Sequence, residues 1–514
     1  QDVAQDSGRR HWARQPSVML QKSDIVIIHG TCYDISSFAD HPGGPSFLKC
    51  VAGRDATTHF ETHHLRIECA RARLKSLPVV GVAESSGMSW DWSENGFHGT
   101  LRRRAAEILL ADVGHPTQSE HDVRMVPSSV WRRATTGTVA MQAARIFAVC
   151  LYAASFAVAC AWRSAVAAIA CGVLTAIMGG FGHNAVHQRG RTWDCWLLEC
   201  AGYSHEQYRI EEHLEHHMAT NLLGDPDTLS LHPFLVWSRP HRASACRRVW
   251  KLLCYHVAAA FGLVLILAGR LLHPTRRHLR GLSGVVVPLL TMLALVIMGW
   301  LPQQDQGLDS STFELGDERS AWVMHVSGSL GLWLLMWSAG SFYYTYVTSV
   351  THNQEENRST FFRTGDTPDW SAWQLLVTSD IDLAGGMRSI PLCGMMLLFL
   401  HEQTLHHLFP TVDHSRLHSL RPMVSSTAAE FGLKLREPRS YASLWVGMLA
   451  TVAGVSRSRL SAASAATEVD DSPPREVAVM PEDRRAWLCC RRRPSPLEKL
   501  TSPLLQRRAK HQFT

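Results

Sequence analysis

Residues 165–187 read AVAAIACGVLTAIMGGFGHNAVH, an almost unbroken apolar run that ends in His183 and His187. A helix of this length and composition can cross the hydrocarbon core of a membrane. Residues four apart lie on one face of a helix, so the two imidazoles would point to one place at its end. The stretch therefore predicts a membrane helix that carries a pair of candidate metal ligands.

Two further histidine groups follow along the chain. Residues 213–217 read HLEHH, and residues 403–410 read QTLHHLFP. Neutral imidazoles suit iron, and two ions need more ligands than one helix supplies. We therefore expect three helices to bring these groups together at the ends of the membrane spans. His401 and His414 flank the last group without its spacing and are not predicted to be ligands.

Apolar runs define the rest of the predicted membrane domain. They cover residues 137–161, 165–181, 252–269, 284–301 and 321–343. The third run has arginines on both sides, which favours an interfacial or re-entrant segment, since basic residues prefer the cytoplasmic face. Four spans remain. The termini and histidine groups then share the cytosolic side, and the acidic connection 302–320 lies on the other side.

The composition agrees with a multi-domain membrane protein. Of the 514 residues, 46% are hydrophobic and 19% charged, and the net charge is +6. Arginines cluster at a few junctions and form no continuous basic face, which argues against nucleic-acid binding. The 13 cysteines are scattered without repeated spacing. They do not form the pattern of a disulfide framework, and a reducing cytosolic side is the simpler interpretation.

A separate module precedes the membrane runs. A β-rich stretch at residues 25–28 ends in a turn at His29-Gly30, and residues 41–44 read HPGG. Six-coordinate haem needs two imidazoles from opposite walls of an apolar pocket, and the Pro-Gly-Gly turn can present His41 at such a pocket. On the residues alone, the second ligand is His63 or His64. Two imidazoles would leave no coordination position for O2, so the haem would carry electrons.

This module resembles cytochrome b5 over most of about 65 residues. The resemblance rests on residues 25–30, 33–38, 41–44 and 53–64. In desaturase-fused members of that family, the second ligand stands four residues after a phenylalanine, which here is Phe60. The resemblance therefore implies haem b held by His41 and His64.

The three histidine groups resemble those of the membrane fatty-acid desaturases. Gln403, with the following His-His-Leu-Phe-Pro, resembles the front-end subgroup, which carries an N-terminal cytochrome b5 domain; Thr220-Asn221 and residues 225–227 also match. The resemblance implies two non-haem iron ions, with a further ligand at His352 after the last span. The implied ligands are His183, His187, His213, His216, His217, His352, Gln403, His406 and His407.

Two departures from that family concern the surroundings of the ligands. Asn184 stands where many relatives carry aspartate, and Thr404-Leu405 replaces an aliphatic residue followed by glutamate. A carboxylate beside a ligating imidazole orients it and raises its basicity, whereas an amide only orients it. The sequence therefore predicts altered support for the iron ligands at both places.

These features predict a small α+β cytochrome b5-like haem domain followed by an all-α membrane desaturase domain with about four transmembrane helices. The predicted boundaries are a disordered segment 1–21, the haem domain 22–86, a linker and amphipathic segment 87–136, the desaturase domain 137–450 and a disordered basic tail 451–514.

The resemblance implies a front-end fatty-acyl desaturase of the endoplasmic reticulum membrane. It would use O2 to place a cis double bond in a fatty acyl-CoA or phospholipid acyl chain. Its haem would receive electrons from cytochrome b5 reductase, and so indirectly from NADH; the chain has no dinucleotide fingerprint of its own. The alternatives are a sphingoid long-chain-base desaturase, a lipid hydroxylase, or an inactive membrane-tethered haem electron carrier.

Overall fold

The computed structural model describes residues 24–83, 90–117, 120–188, 193–222, 225–229, 244–272, 283–304, 315–357, 368–383 and 385–455. All of them belong to one structural unit. The predicted disordered segment 1–21 lies outside the described residues, as do the tail from residue 456 onwards and residues 305–314 of the acidic connection. The eleven cysteines among the described residues are free thiols.

The N-terminal unit is a three-stranded antiparallel sheet packed against three short helices. The strands, in the order β1-β2-β3, are β1 (Ile25–Ile28), β2 (Thr31–Asp34) and β3 (Val79–Val82), and the helices are α1 (Pro45–Val51), α2 (Thr57–His63) and α3 (Ile67–Lys75). His29 and Gly30 both have positive φ, as a two-residue hairpin requires. Val26, Ile28 and Phe60 lie in its apolar core. The predicted small α+β domain is confirmed.

The segment predicted as linker contains helices that build a second core. They are α4 (Phe97–Ala111), α5 (Glu120–Met125) and α6 (Ser128–Thr135). Leu101 and Leu109 of α4 are buried with Trp131 of α6 against Leu417 and Leu420 near the end of the chain. Residues 90–117 and 120–136 are therefore part of the folded unit that carries the third histidine group.

The remainder is helical. The helices are α7 (Val139–Trp162), α8 (Ala165–His187), α9 (Leu197–Cys200), α10 (His205–Tyr208), a π-helical stretch (Arg209–His216), α11 (His217–Ala219), α12 (Pro226–Leu229), α13 (Ala245–Leu272), α14 (Ser283–Gln304), α15 (Leu315–His352), α16 (Trp370–Val377), α17 (Pro391–Met395), α18 (Gln403–Leu408), α19 (His414–Glu430) and α20 (Tyr441–Ala453).

Three helices of the described chain are long and apolar enough to cross a membrane. They are Val139–Trp162, Ala165–His187 and Ala245–Gly269. The third contains the run 252–269, which the sequence predicts to be interfacial or re-entrant but which has the length and composition of a crossing helix. Its flanking arginines can extend towards water along their aliphatic stems, so basic ends do not prevent crossing. The apolar parts of α14 (Ser283–Met298) and α20 (Tyr441–Ala453) are shorter than these three helices.

Helices α8 and α15 run parallel in close contact and bring their terminal histidines to one end. A Cβ atom at Gly172 would overlap the Met336 carbonyl oxygen, and one at Gly340 would lie 2.7 Å from the Gly172 carbonyl oxygen. Small residues allow such backbone approach between membrane helices. At the opposite end, Arg163 donates to the Ser329 hydroxyl. His187 and His352 therefore share one side of the helical domain.

Helices α13 and α14 pack along successive parts of α15, and both run antiparallel to it. Tyr255 contacts Tyr346, and the Leu263 N–H donates to the Ser341 hydroxyl. Further towards the start of α15, the indole of Trp333 donates to the Pro288 carbonyl. Helix α13 thus lies beside the half of α15 that leads to His352, and α14 lies beside its first half.

Candidate metal centre and haem pocket

The predicted histidines converge at the ends of α8 and α15. Two groups have ligand atoms within 4.8 Å of one another: a first group of His183, His187, His217 and His406, and a second group of His216, His352 and His407. Helix α8, the segment from the π-helical stretch into α11, helix α15 and helix α18 supply them. All seven side chains are buried. The side chain of His213 lies outside the described part of the structure.

The nitrogen atoms of these rings point at one another. His406 Nε2 lies 3.1 Å from His183 Nε2, and His407 Nε2 lies 3.2 Å from His352 Nε2. Ligands about 2 Å from one metal ion are themselves about 3 Å apart. A neutral imidazole has one N–H and one lone pair, so several converging nitrogens favour a bound cation. The residues present therefore fit two metal ions.

Gln403 completes the second group. Its amide lies 2.9 Å from His352 Nε2 and 3.1 Å from His407 Nε2. The other end of the amide, Oε1, is buried without a hydrogen-bond partner in the described residues. A half-turn of the amide would direct this oxygen at the ion and satisfy it.

The third histidine group is held in the neutral form that binds metal. Burial lowers the pKa of His406 and His407 well below the ordinary histidine value, and the neighbouring imidazoles lower it further. Metal ligation requires neutral imidazole, because a protonated ring has no free lone pair. These two imidazoles therefore keep the lone pairs that metal ligation requires.

Outer partners orient three of the rings. His216 Nδ1 lies 2.9 Å from the Asp225 carboxylate. His406 Nδ1 lies 2.9 Å from His414 Nε2, and His407 Nδ1 lies 3.3 Å from the Thr220 hydroxyl. Each contact leaves Nε2 directed to the metal group, as in carboxylate–histidine–metal arrangements. The spacing of the histidine groups did not identify His414. His401 contacts the Arg388 carbonyl and belongs to neither group.

Asp413 supplies a carboxylate beside Asn184. The Asn184 amide donates to Asp413 Oδ2 at 2.8 Å, and the Gln188 amide donates to the same oxygen at 2.8 Å. Asp413 also begins α19 by accepting from the Ser415 N–H. The amide of Asn184 therefore supplies a donor to the carboxylate of Asp413.

We expect Asn184→Asp, although it restores the common family residue, to lower activity. It would place two buried carboxylates at hydrogen-bond distance, where like charges repel and Asp413 loses the Asn184 donor. Loss of an outer partner of a metal site typically costs about 10- to 100-fold in activity or metal affinity. Product formation per haem measures the effect.

The matched variant is Asn184→Asp with Asp413→Asn, which exchanges donor and acceptor. Asparagine also begins helices well, so α19 keeps its first residue. We expect the double variant to recover most of the lost activity. Equal loss in the single and double variants would contradict the assigned contact.

Thr404 and Leu405 also have defined places. The Thr404 N–H donates to Asp380 Oδ1 at 2.7 Å, and the Thr378 hydroxyl donates to that of Thr404 at 2.9 Å. Leu405 is completely buried in the second core. These contacts fix α18 from two sides, so its two histidines are positioned without a glutamate at position 405.

The haem module has the geometry of a two-imidazole site. The ring centres of His41 and His64 lie 6.0 Å apart, with the rings nearly perpendicular. This separation accommodates two metal–nitrogen bonds of about 2 Å plus the ring radii. The Nδ1–H of His64 donates to the Phe60 carbonyl at 2.8 Å, which leaves Nε2 for the metal. A Cβ atom at Gly43 would lie 3.0 Å from the His41 ring, so the glycine permits this approach.

The haem pocket extends towards the metal centre. A cavity of about 390 Å³ is lined by His41 and His64 and also by Trp131, His187 and Leu214. His187 also belongs to the first histidine group. The haem site and the metal site therefore share a wall.

A buried ion pair holds the haem module against α4. The Glu61 side chain is fully buried, and Arg102 Nη1 donates to its carboxylate at 3.0 Å. Burial alone would raise the pKa of Glu61, but the His29 hydrogen bond and the charges of Arg71 and Arg102 lower it to about 2. The haem module also contacts the π-helical stretch, where the Arg209 guanidinium lies 4.7 Å from the ring centre of Phe47 in α1.

We expect Arg102→Gln to destabilise the haem module by about 1.5–3 kcal/mol, because the buried carboxylate loses one charged partner while Arg71 and His29 remain. The depressed pKa of Glu61 means that the stabilisation is present above pH 4.5 and is lost as the pH falls towards 2. Thermal unfolding followed by haem absorbance measures the effect, and the neighbouring Arg103→Gln is the control. Equal midpoints for Arg102→Gln and wild type would contradict the role of the pair.

Together, the haem-type module and the buried histidine groups define a membrane-associated metal oxidoreductase. The fatty acid desaturase profile matches residues 160–439, and the cytochrome b5-like haem/steroid-binding domain profile matches residues 17–84. The first match covers more than half of the chain. The chain therefore belongs to the fatty acid desaturase family and carries an N-terminal cytochrome b5-like domain.

Curated relatives share both parts of the chain. It is 26% identical over 419 residues to "Cytochrome b5-related protein" of Drosophila melanogaster, covering 80% of this chain and 84% of the relative. It is 24% identical over 471 residues to "Acyl-lipid (7-3)-desaturase" of Rebecca salina, covering 84% and 90%. An "Acyl-lipid (8-3)-desaturase" of Mortierella alpina is 26% identical over 253 residues, covering 46% and 53%. No solved structure matches the chain.

Proposed function

We propose that the chain is a front-end fatty-acyl desaturase that introduces a cis double bond into an unsaturated acyl chain. The observation that carries the proposal is the common wall of the haem pocket and the metal centre, formed at His187. A haem module placed there can deliver electrons to the metal group without a diffusing carrier. The relatives named as acyl-lipid desaturases support the substrate class.

The proposed ligands are the two histidine groups. His183, His187, His217 and His406 would hold one iron ion, and His216, His352, His407 and Gln403 would hold the other. His213 remains a proposed ligand from its place in the motif. Bound iron would supply an oxidant able to attack an unactivated C–H bond in the presence of O2.

The electron balance requires the haem. Removing two hydrogens from a CH2–CH2 unit and reducing O2 to two waters consumes two further electrons and two protons. His41 and His64 would hold haem b, which passes these electrons singly. Cytochrome b5 reductase is the proposed external donor, with NADH as the ultimate source. Protein atoms between the haem cavity and the first histidine group, including His187, would separate donor from acceptor.

The proposed membrane arrangement places four crossing helices in the endoplasmic reticulum membrane. Three of them, α7, α8 and α13, have the length and composition to cross, and the fourth, α15, runs parallel to α8 in close contact with it. Helices α7 and α13 run opposite to α8 and α15, so an even number of crossings returns the chain to the histidine-bearing side. The haem domain (residues 22–86) and the metal centre would face the cytosol. The proposed desaturase domain (137–450) would end within α20, whose last residue is Ala453. The acyl chain of a CoA thioester or phospholipid would reach the centre from the membrane.

The decisive experiment is expression in a host that is fed several polyunsaturated fatty acids. Gas chromatography with double-bond localisation should reveal a new cis double bond between an existing one and the carboxyl end. A hydroxylated product, or unsaturation confined to sphingoid bases, would reject the proposal. Purified protein with haem but without non-haem iron would instead indicate an electron carrier.

A further inference from the structure

Glu212 is an acidic side chain at the first histidine group that the histidine motifs do not include. Its Oε1 lies 3.3 Å from His183 Nε2 and 3.8 Å from His217 Nε2. The residue is 9% exposed. Its carboxylate therefore lies beside the two nitrogen atoms that this group directs inward.

The distances match those between ligands of one ion. His183 Nε2 is 3.1 Å from His406 Nε2 and 3.3 Å from Glu212 Oε1. Ligands about 2 Å from a shared metal lie about 3 Å apart. One position can thus be within bonding distance of the carboxylate oxygen and the imidazole nitrogens.

The backbone explains why Glu212 is found here. Residues 209–216 form a π-helical stretch, and the His217 N–H donates to the Glu212 carbonyl, five residues earlier. This bond places residues 212 and 217 on one face, whereas a regular α-helix would align residues 213 and 217. π-Helical turns are frequent at functional sites, where they shift one side chain into a site.

Charge also favours a carboxylate in this group. Neutral imidazoles leave the full charge of a divalent ion uncompensated in a buried site, which is costly. A carboxylate ligand offsets part of that charge, and carboxylate oxygens readily join imidazoles in iron sites.

Resting on the proposed function, we propose that Glu212 is a direct ligand of the iron ion held by the first histidine group. The first ion would then have a mixed carboxylate–histidine environment, whereas the second would be held by histidines and the Gln403 amide. The two ions would differ in their ligand charge and thus in their reduction potential and spectrum.

The test uses the full-length purified protein and the isosteric variant Glu212→Gln. We expect non-haem iron per haem to fall to about half of the wild-type ratio, because one of two ions loses its charged ligand. Glu211→Gln is the matched control, since Glu211 accepts a hydrogen bond from Gln207 on the same stretch. We expect it to keep the wild-type ratio. Haem absorbance per polypeptide reports folding in both variants.

Mössbauer spectra of protein loaded with 57Fe give a readout independent of activity. We expect one of the two wild-type iron signals to disappear or shift in Glu212→Gln while the other persists. Unchanged iron content and unchanged spectra would overturn the proposal. If Glu212→Gln loses haem as well, the variant Glu212→His is used in its place. Retained non-haem iron with one altered signal in that variant would support ligation by residue 212. Absence of non-haem iron would overturn the proposal. Wild-type protein without non-haem iron would reject the proposed function itself.

Discussion

Replacing both His216 and His217 with alanine should abolish formation of the new double bond while leaving the haem spectrum intact. The two side chains are 1% and 0% exposed and belong to different histidine groups. Consecutive residues on a helix point about a quarter-turn apart, so one short segment serves both ions. The double variant therefore removes a proposed ligand from each site at once.

The measurement is the fatty-acid profile of cells that express the variant, together with iron and haem analysis of purified protein. His256→Ala is the matched control, because this exposed histidine on α13 contacts the Leu252 carbonyl and belongs to neither histidine group. We expect the control to retain product and both metals. Product in the double variant would show that the histidine groups do not perform the chemistry. Loss of the haem spectrum would show that the domain assignment is wrong.

The sequence predicted the centre of the candidate site because helical spacing is periodic. His183 with His187, and His216 with His217, appear as motifs whose members lie near one another along the chain. His352, a single histidine, was implied only by the family resemblance, which places a ligand after the last span; its Nε2 lies 3.2 Å from His407 Nε2. Local spacing on a helix translates directly into a common direction for side chains.

The residues around the histidine groups could not be predicted from helical spacing. Asn184 donates a hydrogen bond to Asp413, which lies more than 200 residues later in the sequence. No periodic pattern includes both residues. Glu212 reaches the first histidine group through a π-helical turn, which a pattern based on α-helical spacing assigns to another face. Such contacts depend on tertiary packing and on local departures from regular geometry.

The same limit applies to the fold. Arg102 reads as part of a basic stretch of a linker, yet it is buried against Glu61 of the haem module. Charged residues are seldom buried unless paired, so composition alone predicts an exposed position. The arginines around residues 252–269 likewise predicted an interfacial segment, whereas they flank a helix of spanning length.

His64→Ala should eliminate haem binding and desaturation together, while His63→Ala should retain both. The geometry separates the two candidates. His64 faces His41 at 6.0 Å and donates from Nδ1 to a backbone carbonyl, whereas His63 Nδ1 pairs with the Thr62 hydroxyl at 2.7 Å. Without an axial ligand the haem loses its six-coordinate state, and the metal centre then loses its proposed source of electrons.

Absorbance of the purified variants in the oxidised and reduced states measures haem ligation, and non-haem iron serves as the internal control. We expect His64→Ala to keep its non-haem iron, because His64 belongs to neither histidine group. Added imidazole should restore a six-coordinate spectrum to His64→Gly, since a free ring can fill the vacated space opposite His41. Haem retained in His64→Ala but lost in His63→Ala would assign the ligand to His63. Desaturation that persists without haem would instead require a separate electron carrier, and the shared wall at His187 would then have no role in electron delivery.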